Sequence, residues 1–268
     1  MEQAQSYSRG KYAGTNQCEI QLDSVLLSET VYKKNTISDW HYHENPYFAF
    51  ILNGGSTEVR KKGNIECLPG QAYFYNWEDV HRNKDYQLAS RNFNVEFDKG
   101  WLAGLGFNLE KISGIISIAN PELKLGLIRL FREYKINDGS SALSVQSLAL
   151  ELVSLLAKDD LQRKIPEWVR QIMEILNDRW SENISLKELS TILHVHPVTI
   201  SRYFPKYVKC SFGEYIRRIR IERSLPMIRS SRLSLTEIAY QCGFTDQAHF
   251  IKTFKGLTHF LPNDFRRS

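Results

Sequence analysis

The sequence predicts an α+β chain of two domains: a β-sandwich with accompanying helices over residues 1–160, and an all-helical tandem helix-turn-helix over residues 161–268. Three observations carry this reading. In the second half one pattern is written twice, about fifty residues apart. The first half is built of short apolar or alternating stretches broken by Gly, Pro and Asn. Charge also separates: Gln162 to Ser268 hold 18 Lys+Arg against 10 Asp+Glu (net +8), whereas residues 1–161 hold 17 against 20 (net −3).

At 268 residues, with 42% hydrophobic and 24% charged positions, each half has enough apolar residues for its own core. No apolar run approaches the ~20 residues of a membrane span. The amino end, MEQAQSYSRGKY, lacks an apolar segment, so no secretory signal is expected. Cys18, Cys67, Cys210 and Cys242 are scattered without a C-x-x-C pair; they read as reduced thiols, and the chain as cytoplasmic.

From about Ile20 to Phe97 strands are expected: YFAFILN (47–53), STEVRKK (56–62), QAYFYNW (71–77) and RNFNVEF (91–97). Gly54-Gly55, Lys62-Gly63-Asn64 and Pro69-Gly70 separate them as turns. The period then lengthens. Residues 121–135 place Leu123, Leu127, Ile128, Leu130 and Phe131 on one helical stripe, and 141–157 do so with Leu143, Val145, Leu148, Leu152, Leu155 and Leu156. These two helices are candidates for a homodimer face. Asp159 to Lys164 reads as a linker, after which Pro166 opens a helix whose apolar face is Trp168, Ile172, Ile175 and Leu176.

The repeat follows, as SLKELSTILHVHPVTISRYF (185–204) and SLTEIAYQCGFTDQAHFIKTF (234–254). Ser185 and Ser234 each precede a Glu by three residues, the spacing of a capping box. His194-Val195-His196 and Cys242-Gly243-Phe244 make the turns, with Gly243 suited to a left-handed backbone. In the second helix of the first copy Ile200, Tyr203 and Phe204 point inward, leaving Val198, Thr199, Ser201 and Arg202 outside. In the second copy Phe250 and Phe254 point inward, leaving Gln247, Ala248, His249 and Lys252 outside. Such side chains suit base edges: Arg and Lys donate to guanine, Gln pairs with adenine, and methyl groups meet thymine. Lys206 and Lys255, with Arg266, Arg267 and the arginines of 213–228 (Arg217, Arg218, Arg220 and Arg223, read as outside), are expected at phosphates. One isolated copy could equally be a solvated helical face; the duplication and the concentrated positive charge favour a reader of double-stranded DNA.

The C-terminal residues resemble AraC-type transcription regulators. The resemblance rests on SLKELS, Ser211-Phe212 with Tyr215, Arg220-Ile221, LTEIAYQCGF with Asp246-Gln247, and Pro262 with Phe265-Arg266. It implies two helix-turn-helix units joined by a long helix, binding adjacent major-groove segments of a promoter, working with RNA polymerase and tilted towards activation. The chain departs from the family pattern at Lys209 and His259, where Gly is usual, and at Pro205 and Pro226 inside helices. A shortened or bent helix is expected at Pro205 and a bend near Pro226.

Trp40-His41-Tyr42-His43, YFAFILNGG and LPGQAYFYNWEDVHR resemble the cupin-like effector half of the same family. His41, His43, Tyr47, Tyr73, Tyr75 and His81 are the candidate effector pocket, with about half of the neighbouring aromatics assigned to the core. The three histidines could ligate a metal, but Glu44 follows at once and Tyr47 or Phe48 stands where a metal-binding cupin would place its Glu. They are therefore expected as hydrogen-bonded or solvent-facing rings at the barrel mouth, with no metal, cofactor or catalytic residue. Two alternatives remain: a cupin-type metal-dependent enzyme with a helical appendage, and an interaction module that has lost DNA binding.

Overall fold

The strand YFAFILN is apolar without alternation because both of its faces are covered. In the first unit the chain runs β1 (Gln5–Tyr7), β2 (Thr15–Gln21), β3 (Val25–Tyr32), β4 (His41–His43), β5 (Tyr47–Asn53), β6 (Ser56–Arg60), β7 (Gly63–Cys67), β8 (Ala72–Tyr75), β9 (Arg82–Lys84), β10 (Ser90–Phe97), α1 (Lys99–Gly104), β11 (Ile115–Ser117), α2 (Pro121–Ile136) and, as far as Ser154, α3 (Ser141–Asp159). Six strands pair antiparallel in the order β11-β8-β5-β10-β3-β2, three in the order β7-β6-β9, and β1 lies parallel to β4. The computed structural model describes residues 4–61, 63–107, 114–159 and 165–268, and these form two compact units, Met1–Ser154 and Leu155–Ser268. Residues 160–164 of the expected linker, and Lys62 of the expected turn, lie outside the described residues.

Successive side chains of a strand point to opposite faces, and that parity builds the first unit. Phe48, Phe50, Phe74, Phe93 and Phe97 are fully buried on one face of the six-stranded sheet, where Phe93 meets Phe131 of α2 at 5.2 Å between ring centroids. On the other face Tyr47, Ala49, Ile51, Tyr73 and Tyr75 pack with Cys67 of β7. The sandwich is thus closed by a helix on one side and a small sheet on the other. Gly54 and Gly55 hold φ of 70° and 142°, and a Cβ on Gly54 would lie 2.4 Å from the Ser90 hydroxyl, so the β5–β6 turn requires glycine there.

α2 starts at Pro121 behind the Asn120 cap and ends on Asn137 in the left-handed region (φ 44°). It is buried around most of its circumference, including Leu123, Leu125, Leu127, Ile128, Leu130, Phe131 and Tyr134. The buried stripe of α3 is Val145, Ala149, Leu152, Val153 and Leu156. Leu143, expected on that stripe, is 76% exposed; it lies in the first turn, a half-turn away from Val145 around the helix axis. Strands β1 and β2 precede the region where strands were expected, because their polar alternation lacks an apolar core face: β2 has no fully buried residue.

The second unit is helical: α4 (Glu167–Asp178), α5 (Leu186–Leu193), α6 (Pro197–Val208), α7 (Phe212–Ser230), α8 (Leu235–Gln241), α9 (Gln247–Thr258) and α10 (Pro262–Arg267). Among the described residues no helix is long and apolar enough to cross a membrane. α4 turns Val169, Ile172 and Leu176 inward, with Trp168 and Ile175 only partly covered. These join Leu189, Ile200, Phe204, Tyr215 and Ile219 in one core. A chain of rings, Phe244–Phe250–Phe254–Phe265–Phe260, fills the space around α8, α9 and α10.

Candidate nucleic-acid interface and an internal cavity

The second helix of each copy, which would be its recognition helix in a DNA reader, is fixed at both ends. α6 is capped by His196, whose Nδ1 accepts from the Val198 amide, and α9 by Asp246, whose carboxylate accepts from the His249 amide at 2.7 Å. Both helices span 12 residues and end on a left-handed residue, Lys209 (φ 62°) or His259 (φ 64°). The positions where glycine is usual are therefore left-handed caps, as the pattern implied. Neither proline shortens its helix. α6 continues through Pro205 to Val208, where the Lys209 amide donates to the Pro205 carbonyl at 3.0 Å, and α7 continues through Pro226 to Ser230. A helical proline removes one backbone hydrogen bond; here Phe204 on one side and Leu225 with Ile228 on the other remain fully anchored in the core.

Burial separates inward from outward residues as the spacing predicted, with two corrections. Ile200, Phe204, Phe250 and Phe254 are at 0% exposure, while Val198, Ser201, Arg202, Ala248, His249 and Lys252 are exposed and Thr199 and Gln247 partly so. Gln247 Oε1 accepts from the Thr236 hydroxyl at 2.6 Å, which orients its amide. Tyr203, expected inside, is 38% exposed. Its ring lies under Lys206 Nζ (4.6 Å) and beside the Arg202 guanidinium (5.7 Å), a cation–π arrangement that stiffens the outer face.

Arg220 is the second correction. It is buried rather than outside: Nε donates to the Trp180 carbonyl, one NH to the Gly243 carbonyl at 2.7 Å, and the other to the Glu182 carbonyl and Asn183 Oδ1. Arg266 likewise donates inward, to the carbonyls of Ile228 and Leu233. With all three of its nitrogens bonded to oxygens of its own chain, the Arg220 guanidinium has little left to offer a phosphate. Arg223, Lys206, Lys255 and Arg267 are exposed or nearly so. Arg217, Arg218, His249 and Lys252 line an open groove of about 400 Å³ together with Glu214 and Leu257.

The capping boxes also differ from expectation. At Ser234 both reciprocal bonds with Glu237 form, and a further box forms at Ser211–Glu214. Ser185 makes only half: its hydroxyl accepts from the Glu188 amide, but the Glu188 carboxylate is taken by Arg179 at 2.7 Å.

With this geometry in place, the comparisons with known proteins become specific. Residues 189–268 match the family model described as a helix-turn-helix domain. The second unit thus carries a helix-turn-helix domain. Over 92% of its length the chain is 23% identical to an uncharacterised HTH-type transcriptional regulator of Staphylococcus aureus, covering 34% of that protein. It is 26% identical over 134 residues to the HTH-type transcriptional activator RhaS of Escherichia coli, covering 49% of this chain and 48% of RhaS. The chain therefore spans between about a third and a half of the length of these relatives. The crystal structure of ToxT from Vibrio cholerae bound to an unsaturated fatty acid aligns at a TM-score of 0.41 and 14% identity, over 93% of this chain and 97% of ToxT.

In the first unit His41, His43, Tyr47 and Tyr75 line a polar cavity of about 30 Å³ with Tyr12, Tyr32, Asn83, Tyr86, Asn92 and Asn94. Tyr73 is not among its lining; its hydroxyl donates to Gln71 at 2.7 Å. The histidines are not solvent-facing: His41, His43 and His81 are 2%, 3% and 2% exposed. His41 and His81 form a backbone bridge with reciprocal N–H···O bonds of 2.9 Å, and their rings approach to 4.5 Å between centroids. Burial, with the neighbouring His81, pushes His41 down to about 4 and His43 well below the usual imidazole range. Two signals for this cavity stand in the sequence. RNFNVEF alternates Asn92, Asn94 and Glu96 against Phe93, Val95 and Phe97, a strand whose inward side is polar. The triplet D-x-H occurs twice, at Asp39–His41 and Asp79–His81.

Proposed function

We propose that the chain is a sequence-specific transcription regulator that reads double-stranded promoter DNA through both helix-turn-helix units. The observation that carries this is the exact fifty-residue correspondence of two outward faces. Cap His196 matches Asp246, buried Ile200 and Phe204 match Phe250 and Phe254, cationic Arg202 matches Lys252, and left-handed Lys209 matches His259. Val198, Thr199, Ser201 and Arg202, and Gln247, Ala248, His249 and Lys252, are the base-facing set; Lys206 and Lys255 hold phosphates and give salt dependence without sequence choice.

In this reading the protein works in the cytoplasm, contacts RNA polymerase as an activator, and is controlled through residues 1–160, which take an effector and pair as a homodimer. α3 supports that pairing better than α2 does, since Leu143 and Leu150 are exposed on α3 while α2 is largely enclosed. No catalytic step is assigned. Selection from random oligonucleotides with the full chain tests the reading. A bipartite motif with two major-groove segments about one helical turn apart is expected; enrichment of no sequence overturns it.

A further inference from the structure

The cavity of the first unit is too small for a drug-sized organic ligand. Pockets for such molecules measure ~300–1,000 Å³, whereas this one, of about 30 Å³, admits little more than a water or a single ion. Beside it stand three buried histidines whose ligand atoms lie within 4.8 Å of one another.

The chemistry of the rings decides what they can bind. A backbone carbonyl only accepts, so the contacts His41 Nδ1···O Asp39 (2.8 Å) and His81 Nδ1···O Asp79 (2.7 Å) place the proton of each neutral ring on Nδ1. Each Nε2 then keeps its lone pair. A histidine whose far nitrogen is fixed by a carbonyl is oriented as a metal ligand, with its basicity raised. Both bonds come from the same local device, an Asp two residues before the His, and the His41–His81 backbone bridge holds the two devices side by side. His43, two residues along β4, points to the same side as His41 by strand parity. Atoms all within 4.8 Å of one another lie at most about 2.8 Å from a common centre; Zn–N bonds are ~2.0–2.1 Å, so an inward movement of up to ~0.7 Å per ring closes the site.

We propose that His41, His43 and His81 bind one divalent first-row transition-metal ion of the zinc type, through three imidazole nitrogens, leaving a fourth position towards the cavity. Imidazole selects such ions over magnesium or calcium, which take oxygen ligands. Around the site Tyr75 donates to the buried Glu58 at 2.6 Å and Tyr12 to Glu96 at 3.2 Å. Glu58 is in turn paired with Arg60, so the carboxylate without an arginine partner among these is Glu96, beyond the phenol that contacts His43. The site stands whether or not the second unit reads DNA.

The test is a titration of the full chain, stripped with a chelator, by Co²⁺ followed through its visible absorption, with Zn²⁺ as competitor. One equivalent per chain, displaced by Zn²⁺, is expected, together with a higher Tm on metal addition. His43→Ala and His81→Ala should each weaken binding by about 100-fold, and Cys18→Ser, which removes the exposed thiol, should leave it unchanged. If the alanine variants fail to fold, His81→Gln serves in their place and the wild-type stoichiometry still decides. Absence of saturable one-to-one binding in folded wild-type protein overturns the proposal, as does binding that survives loss of His43 and His81.

Discussion

The two helix-turn-helix copies share a recognition helix of the same length but hold it differently. In the first, three residues (His194 to His196) separate α5 from α6, and the turn closes on left-handed His194 (φ 53°). In the second, five residues (Cys242 to Asp246) separate α8 from α9, and the left-handed residue is Gly243 (φ 75°). There a Cβ would lie 2.4 Å from the Ser181 carbonyl and 2.9 Å from Arg220. The first copy is supported by the aliphatic face of α4, the second by a file of phenylalanines closed by α10. A conserved outer geometry can thus be reached from two interiors, and the second depends more heavily on one backbone position.

That contrast gives its own tests. Gly243→Ala should have the largest effect, a loss of about 3 kcal/mol, because left-handed strain of ~1–2 kcal/mol adds to overpacking of ~1–3 kcal/mol; urea unfolding of the full chain measures it, and a change below ~1 kcal/mol would remove the claimed asymmetry. Next come the matched cations. Arg202→Ala and Lys252→Ala should each weaken specific DNA binding by ~1–3 kcal/mol and relax choice at one base pair, whereas Lys206→Ala should lower only the salt slope, by ~1. A gel-shift titration against point-mutated sites would show unchanged discrimination if Arg202 meets only phosphate. Smaller again, Ser234→Ala should cost ~1–2 kcal/mol and Ser185→Ala nearer ~0.5 kcal/mol, since only the former closes a full box; equal thermal shifts would contradict this. Smallest, Lys209→Gly should gain up to ~1 kcal/mol by relieving a left-handed non-glycine residue, read as a modest rise in Tm.

Residue pattern made the second unit legible and left much of the first obscure. Caps, turns and inward phenylalanines repeat at fixed offsets, and helical periodicity exposes them directly. Tyr203 was misplaced because it sits three residues from Ile200, at the border of the buried stripe, where its hydroxyl and two neighbouring cations keep it outside. Arg220 was misplaced for a different reason: its charge suggests solvent, and only the three-dimensional meeting of Trp180, Glu182 and Gly243 carbonyls supplies enough acceptors to bury it. In the first unit β5 and β10 were visible from their aromatic content. β1 and β2 were not, because polar edge segments look like loops until their partners are known. His41 and His81 are forty residues apart, and nothing local says that β4 crosses back onto the segment before β9.

Arg220 has a consequence for the spacing of any target. Its guanidinium ties the approach to the first copy, at Trp180 and Glu182, to the turn of the second, at Gly243. One guanidinium thereby joins both copies, so that under the proposed function neither reader turns without breaking hydrogen bonds to the other. Inserting a few base pairs between the half-sites should turn the second one away around the duplex, so that its contacts are lost outright instead of stretching to follow.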